Sequence, residues 1–283
     1  GTGGTTEGTA TAAASKAAGG STAAATTGGK IAANIGKDDK ADLTGAGATF
    51  PAPLYQAWFQ DYTKIAPGVK TNYQGVGSGG GIQQYTEKTV DFGATDLAMT
   101  DAELAKAPDT QHIPMVLGSI VITYNLDGVT QPLKFDGDTI AKIWLGKITK
   151  WNDPAIAALN PGVKLPTSTI SVVSRSDSSG TTGVFTDYLS NVSADWKKDI
   201  GVQKSVKWPV GQGGQKNAGV ASLVEQTPGA IGYVELSFAL EKKNLKSATI
   251  QNAAGKFIEP TLDAVTAAAG ALKEIPDDLV VNL

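Results

Sequence analysis

Residues 170–181 read ISVVSRSDSSGT and are followed by the amphipathic segment 184–189, VFTDYL. A β-branched run, a small polar loop with one glycine and an amphipathic segment predict a strand, a turn and a helix in that order. A helix that begins in such a loop leaves backbone N–H groups free at its N-terminus, where the helix dipole also favours negative charge. This stretch therefore predicts an α/β unit with a place for a small anion.

The side chains of the same loop fit an anion as well. Ser179 and Thr181 supply hydroxyl donors, and the guanidinium of Arg175 has a fork that matches a tetrahedral oxyanion. Asp177, two residues further on, can hold that fork in place. The alternative is that these residues only cap the helix, because Ser, Thr and Asp are common N-caps in loops that bind no ligand. The loop by itself leaves both interpretations open.

The composition limits the classes of function. The chain has 283 residues, of which 41% are hydrophobic, enough for one large or two medium domains. A net charge of -3 does not favour nucleic acid or an anionic membrane as partner. The lack of cysteine excludes disulfides, thiolate metal sites and cysteine nucleophiles.

Two kinds of sequence follow each other along the chain. The first 30 residues are Gly, Ala, Thr or Ser at all but three positions, and such a segment cannot bury enough apolar surface to fold. Residues 1–41 are therefore predicted to be a flexible tether. Beyond them, strand and helix patterns alternate, with a helix predicted over residues 53–62 and strands over 69–74 and 116–124. This alternation predicts an α/β protein with two lobes of parallel or mixed sheet.

Three further turns rich in glycine and hydroxyl groups follow predicted strands, at residues 45–50, 75–81 and 95–96. Ligands of open α/β sheets gather at the carboxyl ends of strands, where such turns meet, although each glycine could simply permit a tight turn. Asp96 is the most specific residue among them. An ionised carboxylate only accepts hydrogen bonds, so it would favour an anion that carries a proton, such as hydrogen phosphate, over sulfate. Asp96 could equally be an ordinary turn residue.

Four of these segments, residues 43–53, 73–80, 90–96 and 175–181, resemble motifs of the periplasmic phosphate-binding proteins of ABC-type phosphate importers. Residues 207–219 and 228–235 are similar to the same family, and the likeness runs in the family's order from about residue 43 to residue 259. The resemblance implies a two-lobed class II binding-protein fold that closes about a hinge over phosphate in an interlobe cleft. It implies no metal and no cofactor.

The resemblance also assigns residues and boundaries. It implies that Asp96 accepts the proton of phosphate and that Asp177 steadies Arg175. The first lobe is expected over residues 42–116, the second over 117–233, and a return to the first lobe over 234–283. Family members continue through a further strand and helix, so the C-terminal part of the first lobe is expected to be missing here. The phosphate-binding residues implied are Ala48, Thr49, Phe50, Pro51, Ser78, Asp96, Arg175, Ser179, Gly180 and Thr181.

The function implied by the resemblance is that of a solute-binding receptor. It would capture inorganic phosphate in the periplasm or at the outer face of the cell membrane and deliver it, as a monomer, to an ABC permease. Lipid anchoring through a lost N-terminal residue is an added hypothesis.

Two other functions are compatible with the same fold. A phosphatase or phosphotransferase would use Ser78, Ser179 or Thr181 as nucleophile, and a surface scaffold would bind no phosphate. The sequence shows no base for an enzyme: His112 is the single histidine, and no HExxH motif or phosphate-binding P-loop occurs.

Overall fold

The computed structural model describes residues 36–272 and Pro276. The first lobe is built on three parallel strands in the order β2-β1-β3, with each strand followed by a helix. Its elements are β1 (Ala41–Gly47), α1 (Ala52–Ile65), β2 (Val69–Gly75), α2 (Ser78–Thr86), β3 (Phe92–Ala94) and α3 (Asp101–Leu104).

The second lobe contains a five-stranded mixed sheet in the order β7-β6-β8-β4-β9 and a small sheet in the order β11-β10-β5. Strand β6 runs parallel to β7 and β8, whereas β4 is antiparallel to β8 and β9. The elements are β4 (Ile120–Asn125), β5 (Lys134–Phe135), α4 (Gly137–Trp144), α5 (Pro154–Leu159), β6 (Ser171–Arg175), α6 (Gly180–Val192), α7 (Ala194–Asp199), β7 (Gln212–Gly214), α8 (Lys216–Gln226), β8 (Ala230–Glu235), α9 (Leu236–Leu240), β9 (Lys246–Ser247), β10 (Thr249–Gln251) and β11 (Phe257–Ile258). Helix α10 (Leu262–Gly270) follows β11 in the chain.

Both faces of the five-stranded sheet are covered, which explains why β8 is buried along its whole length. Alternate residues of a strand point to opposite faces. Tyr233 packs on one face against Phe185, with the rings stacked at 4.3 Å between centroids, and Trp144 meets Phe185 edge-on. Val234 belongs to the core of the other face, under α8. The Tyr233 hydroxyl, on this aromatic side, accepts the backbone N–H of Arg175, the last residue of β6, at 3.2 Å.

The structure moves two of the predicted boundaries. The return to the first lobe, predicted at residue 234, is too early, because β8 continues to Glu235 and pairs with β4, residues 246–247 pair with β4, and residues 249–250 pair with β5. The tether predicted over residues 1–41 lies outside the described residues up to residue 35. Its last residues are part of the first lobe, since Gly36 is buried and Ala41 begins β1.

The strand predicted over residues 116–124 is also shorter than expected. Strand β4 begins only at Ile120, and residues 111–119 are neither helical nor paired in a strand. The β-branched and apolar pattern had indicated a strand over the whole run. Pairing depends on a neighbouring strand, which a local pattern does not specify.

Candidate functional site

The candidate site lies where five parallel strands end. The loops after β1, β2 and β3 come from the first lobe, and the loops after β6 and β7 come from the second. Because the carboxyl ends of parallel strands meet at one edge of a sheet, each lobe presents its loops at the edge that faces the other lobe. The turns singled out in the sequence are these loops.

The loop after β1 carries four of the predicted residues, which differ in what they can offer. Thr49 and Pro51 are buried and Phe50 is half-buried. Pro51 has no N–H and precedes α1, which has no side-chain cap. The N–H of Ala48 donates to the carbonyl of Ala94 at 2.8 Å, and its carbonyl accepts from the Tyr73 hydroxyl at 2.7 Å. Both backbone groups of Ala48 are therefore engaged within the lobe, and the expected backbone donation by Ala48 is not supported.

Ser78 and Asp96 form the other half of the first lobe's contribution. Ser78 is the first residue of α2, whose N-cap Gly77 has φ +93°, a conformation that favours glycine. The Ser78 hydroxyl oxygen accepts the backbone N–H of Asp96 at 3.3 Å, so the proton of that hydroxyl can still be donated elsewhere. The two loops are thereby tied together, with Asp96 placed beside the start of α2.

In the second lobe, Arg175 is held almost without freedom. Its side chain is 1% exposed, and Asp177 accepts from its Nε at 2.8 Å and from its Nη2 at 2.5 Å. The backbone N–H of Lys216 also donates to Asp177. Burial alone would raise the pKa of Asp177, but the Arg175 guanidinium outweighs it and the pKa lies below its usual value. Asp177 thus fixes one edge of the guanidinium and leaves the Nη1 edge directed at Thr181, 3.3 Å away.

The start of α6 supplies the remaining predicted residues. The Ser179 hydroxyl caps the helix by accepting the N–H of Thr182 at 3.1 Å, and the N–H of Ser179 donates to the carbonyl of Lys204. Gly180 and Thr181 are the first two residues of the helix, whose N–H groups have no acceptor within the helix. The strand, loop and helix predicted here form as expected, with Ser179 as the N-cap of α6.

The two lobes touch at these residues. The Thr181 hydroxyl donates to Asp96 Oδ2 at 3.1 Å, and the N–H of Gly79 donates to the carbonyl of Ser178 at 3.1 Å. A Cβ added to Gly180 would lie 2.7 Å from the Cβ of Asp96. The cleft between the lobes is therefore closed. Apart from Ala48, the predicted residues of both lobes lie together at this contact.

Asp96 is the acceptor in this group of donors, and its environment alters its acidity. Burial raises the pKa of Asp96 to about 6, against the opposing influence of the hydrogen bond from Thr181 and the positive charge of Arg175. The nearby carboxylate of Glu235, which is itself buried, raises the pKa of Asp96 further. Burial therefore destabilises the ionised form of Asp96, and a hydrogen bond donated by a protonated ligand would stabilise it.

Some residues at the contact carry no predicted role. Asn217, at the start of α8, donates from Nδ2 to the Thr49 hydroxyl at 2.9 Å across the cleft. Lys204 forms an ion pair with Glu103 at 2.9 Å, again between the lobes. Asn217 could have been found from its place shortly after the glycines of β7, whereas nothing local distinguishes Lys204 from other lysines.

Over residues 36–272, His112 and the acidic side chains do not form the arrangement expected of a catalytic histidine base or a metal site. The Nε2 of His112 accepts the backbone N–H of Met99 at 3.2 Å, which occupies the nitrogen that a general base would need. Over residues 36–272, His, Asp and Glu form no cluster of three that could hold a metal ion. In the same part of the chain, every helix is too short or too polar to cross a membrane.

Asp96 should make the free energy of unfolding depend on pH. Between about pH 4 and pH 6 the folded protein binds more protons than the unfolded chain, because the folded pKa is raised from 3.8 to about 6. The stabilisation is full below about pH 4 and is lost as the pH rises through 6, by at most about 3 kcal/mol. We expect Asp96→Asn, without ligand, to be more stable than the original protein by about 1–3 kcal/mol at pH 8 and equally stable at pH 4. Urea unfolding at both pH values measures this, and equal stability of the two proteins at pH 8 would contradict the raised pKa.

Comparison with known proteins gives consistent matches. Residues 5–281 match the model of the PBP superfamily domain. The phosphate-binding protein PstS of Pasteurella multocida is 50% identical over 228 residues, which cover 80% of this chain and 65% of that protein. The phosphate-binding protein PstS of Haemophilus influenzae is 49% identical over 232 residues, which cover 82% of this chain and 69% of that protein. The chain thus spans less than two thirds of the length of the Pasteurella relative.

The fold has counterparts among solved structures. An ABC-type phosphate transport receptor from Vibrio cholerae superposes with a TM-score of 0.56 at 22% identity, over 80% of this chain and 82% of that one. At this level of identity the likeness concerns the fold alone. The two-lobed α/β fold predicted from the sequence is confirmed.

Proposed function

This chain belongs to the PBP superfamily and, within it, to the phosphate-binding proteins named PstS; from that membership we propose that it captures inorganic phosphate outside the cytoplasm and delivers it to an ABC permease. The phosphate-binding residues of the proposal are Thr49, Phe50, Ser78, Asp96, Arg175, Ser179, Gly180 and Thr181, with Asp177 holding Arg175 and Pro51 shaping the loop.

One observation carries the proposal: donors from both lobes surround a single acceptor in a closed cleft. The Nη1 side of Arg175 supplies a charged donor, and the start of α6 adds backbone N–H groups and hydroxyls. Ser78 and Thr49 add hydroxyls from the first lobe. Donors arranged around one point can replace the hydration shell of a tetrahedral oxyanion, and closure of the lobes would then exclude water.

The choice between a receptor and an enzyme turns on the relatives rather than on the geometry. A serine or threonine nucleophile needs a base within hydrogen-bond reach. The Thr181 hydroxyl donates to the Asp96 carboxylate at 3.1 Å and accepts from Arg175, so these contacts alone fit either function. The PstS relatives are named as binding proteins. We therefore propose a receptor that does no chemistry on its ligand, acts as a monomer and is held at the outer face of the membrane by a lipid anchor.

Isothermal titration calorimetry tests the proposal. Phosphate should bind with one site per chain, with a Kd in the micromolar range or below, and the affinity should be the same with and without EDTA. A phosphoester substrate should not be turned over by the same preparation. No heat of binding at millimolar phosphate would refute the receptor, and hydrolysis of the phosphoester would point to the enzyme instead.

Selectivity against sulfate should depend on Asp96. Sulfate has no proton to give at neutral pH, so the Asp96 carboxylate repels it while accepting a hydrogen bond from hydrogen phosphate. Asp96→Asn should raise sulfate affinity by about tenfold or more and lower phosphate affinity, so that the two anions become comparable. Competition titrations of phosphate against sulfate measure the ratio. An unchanged ratio would remove Asp96 from the binding site.

A further inference from the structure

Asn217 is a buried polar residue that connects the two lobes at the cleft. Its side chain is fully buried, at the second position of α8. Its Nδ2 donates to Thr49 Oγ1 at 2.9 Å in the first lobe, and its Oδ1 accepts the backbone N–H of Glu235 at 3.1 Å in the second. Both ends of the amide are therefore used, one in each lobe.

The orientation of the amide follows from chemistry. A backbone N–H can only donate, so the N–H of Glu235 requires the amide oxygen of Asn217 on its side. The amide nitrogen must then face Thr49, where it can only donate. Thr49 Oγ1 consequently accepts a hydrogen bond from Asn217, and its own O–H must point elsewhere.

The Thr49 hydroxyl proton has no acceptor among the residues that the structure describes. A hydroxyl that accepts one hydrogen bond still has one proton to donate. Thr49 lies in the loop after β1, at the edge of the cleft where Ser78 and Asp96 also lie. The Thr49 hydroxyl proton is thus available for a hydrogen bond to an anion in the cleft.

We propose that Asn217 is a positioning residue that makes Thr49 a donor to the bound anion and does so only when the lobes are closed. The hydrogen bonds run in one direction, from the second lobe into the first. The Glu235 N–H donates to the Asn217 amide oxygen, the Asn217 amide nitrogen donates to Thr49, and the Thr49 hydroxyl donates to the anion. Because Thr49 and Asn217 belong to different lobes, their hydrogen bond forms on closure and adds to the preference of the ligand for the closed state. This inference rests on the proposed function and deepens it.

Two substitutions separate this role from a merely structural one. Asn217→Asp keeps the shape but only accepts, so the Thr49 hydroxyl would donate to residue 217 instead of the anion, and a negative charge would be added. Asn217→Ala removes the amide but leaves the Thr49 hydroxyl free to rotate. We expect phosphate affinity to fall about 100-fold or more in N217D and only about 5–10-fold in N217A. A structural role predicts the opposite order, because Ala creates a cavity and loses both hydrogen bonds.

The same substitutions on a Thr49→Val background separate hydroxyl reorientation from added charge. If Asn217 acts through Thr49, N217A should change affinity less than about twofold in T49V, and N217D should lose less there than in the original chain. Thermal unfolding of each variant verifies folding. Should N217D not fold, the cycle of N217A and T49V decides alone.

The outcomes are distinct. If the original chain does not bind phosphate, the proposed function fails. If it binds, the inference is overturned when N217A loses more affinity than N217D, or when N217A has the same effect with and without the Thr49 hydroxyl. The stated order, together with a reduced effect in T49V, supports Asn217 as the residue that orients Thr49.

Discussion

Replacing Arg175 by Met should weaken phosphate binding by at least about 30-fold, which corresponds to about 2 kcal/mol or more. The guanidinium is almost fully buried and is oriented by two hydrogen bonds to Asp177. Met keeps much of the side-chain volume but removes the charge and the donors. The loss is enlarged because Asp177 would be left as an uncompensated carboxylate near the anion. Calorimetric titration with phosphate measures the change.

Two further variants make the Arg175 result specific. R175M combined with Asp177→Asn removes the remaining carboxylate and should recover part of the lost affinity, although not the guanidinium's own contribution. Lys204→Met removes another interlobe cation, which pairs with Glu103 and is more exposed than Arg175. Partly exposed ion pairs contribute about 1 kcal/mol or less, so K204M should bind phosphate within about fivefold of the original chain. If R175M bound phosphate as tightly as K204M, Arg175 would not be a ligand.

Replacing Gly180 by Ala should abolish tight phosphate binding while leaving the fold at least as stable. An added Cβ would lie 2.7 Å from the Cβ of Asp96 and 2.8 Å from its backbone nitrogen, and closer still to the Ser78 hydroxyl oxygen. These atoms belong to the first lobe, so the lobes could meet only with a shift of the backbone. We expect a loss of affinity of about 100-fold or more, because the donors of the two lobes would no longer reach one anion together.

The stability of G180A should not fall with its phosphate affinity. Gly180 is the first residue of α6, and its φ lies outside the range that favours glycine. Ala at a compatible helical position stabilises by about 0.4–1 kcal/mol, so the melting temperature should be unchanged or higher. Gly270→Ala is the matched control, since Gly270 is also helical and a Cβ there meets nothing within 4 Å. Small-angle scattering should show G180A more open than G270A. Unchanged phosphate affinity in G180A would mean that this closed contact is not the binding state.

Local chemistry explains how much of the site the sequence could predict. The strand, loop and helix around Arg175 form as the pattern predicted, with Ser179 as the N-cap. Their conformations depend on residues within a few positions, which a sequence displays directly. Asp177 lies two residues from Arg175, and that spacing alone predicted that the Asp177 carboxylate would hold the Arg175 guanidinium.

Contacts between distant residues could not be predicted in the same way. Asn217 and Thr49 are 168 positions apart, and their hydrogen bond depends on how the lobes meet. The engagement of Ala48 by Ala94 and Tyr73 depends on the pairing of β1 with β3 and on the packing of β2. The extent of the second lobe depends on the pairing of β8 and β9 with β4.

The sequence by itself determined the succession of strands and helices, the loops at the strand ends and the residue types that can hold an anion, because backbone conformation and capping are set by near neighbours. The tertiary structure decided which donors remain available, which carboxylate is buried and which residues meet across the cleft. Burial and hydrogen-bond pairing depend on atoms brought together from both lobes, and only the folded, closed chain defines them.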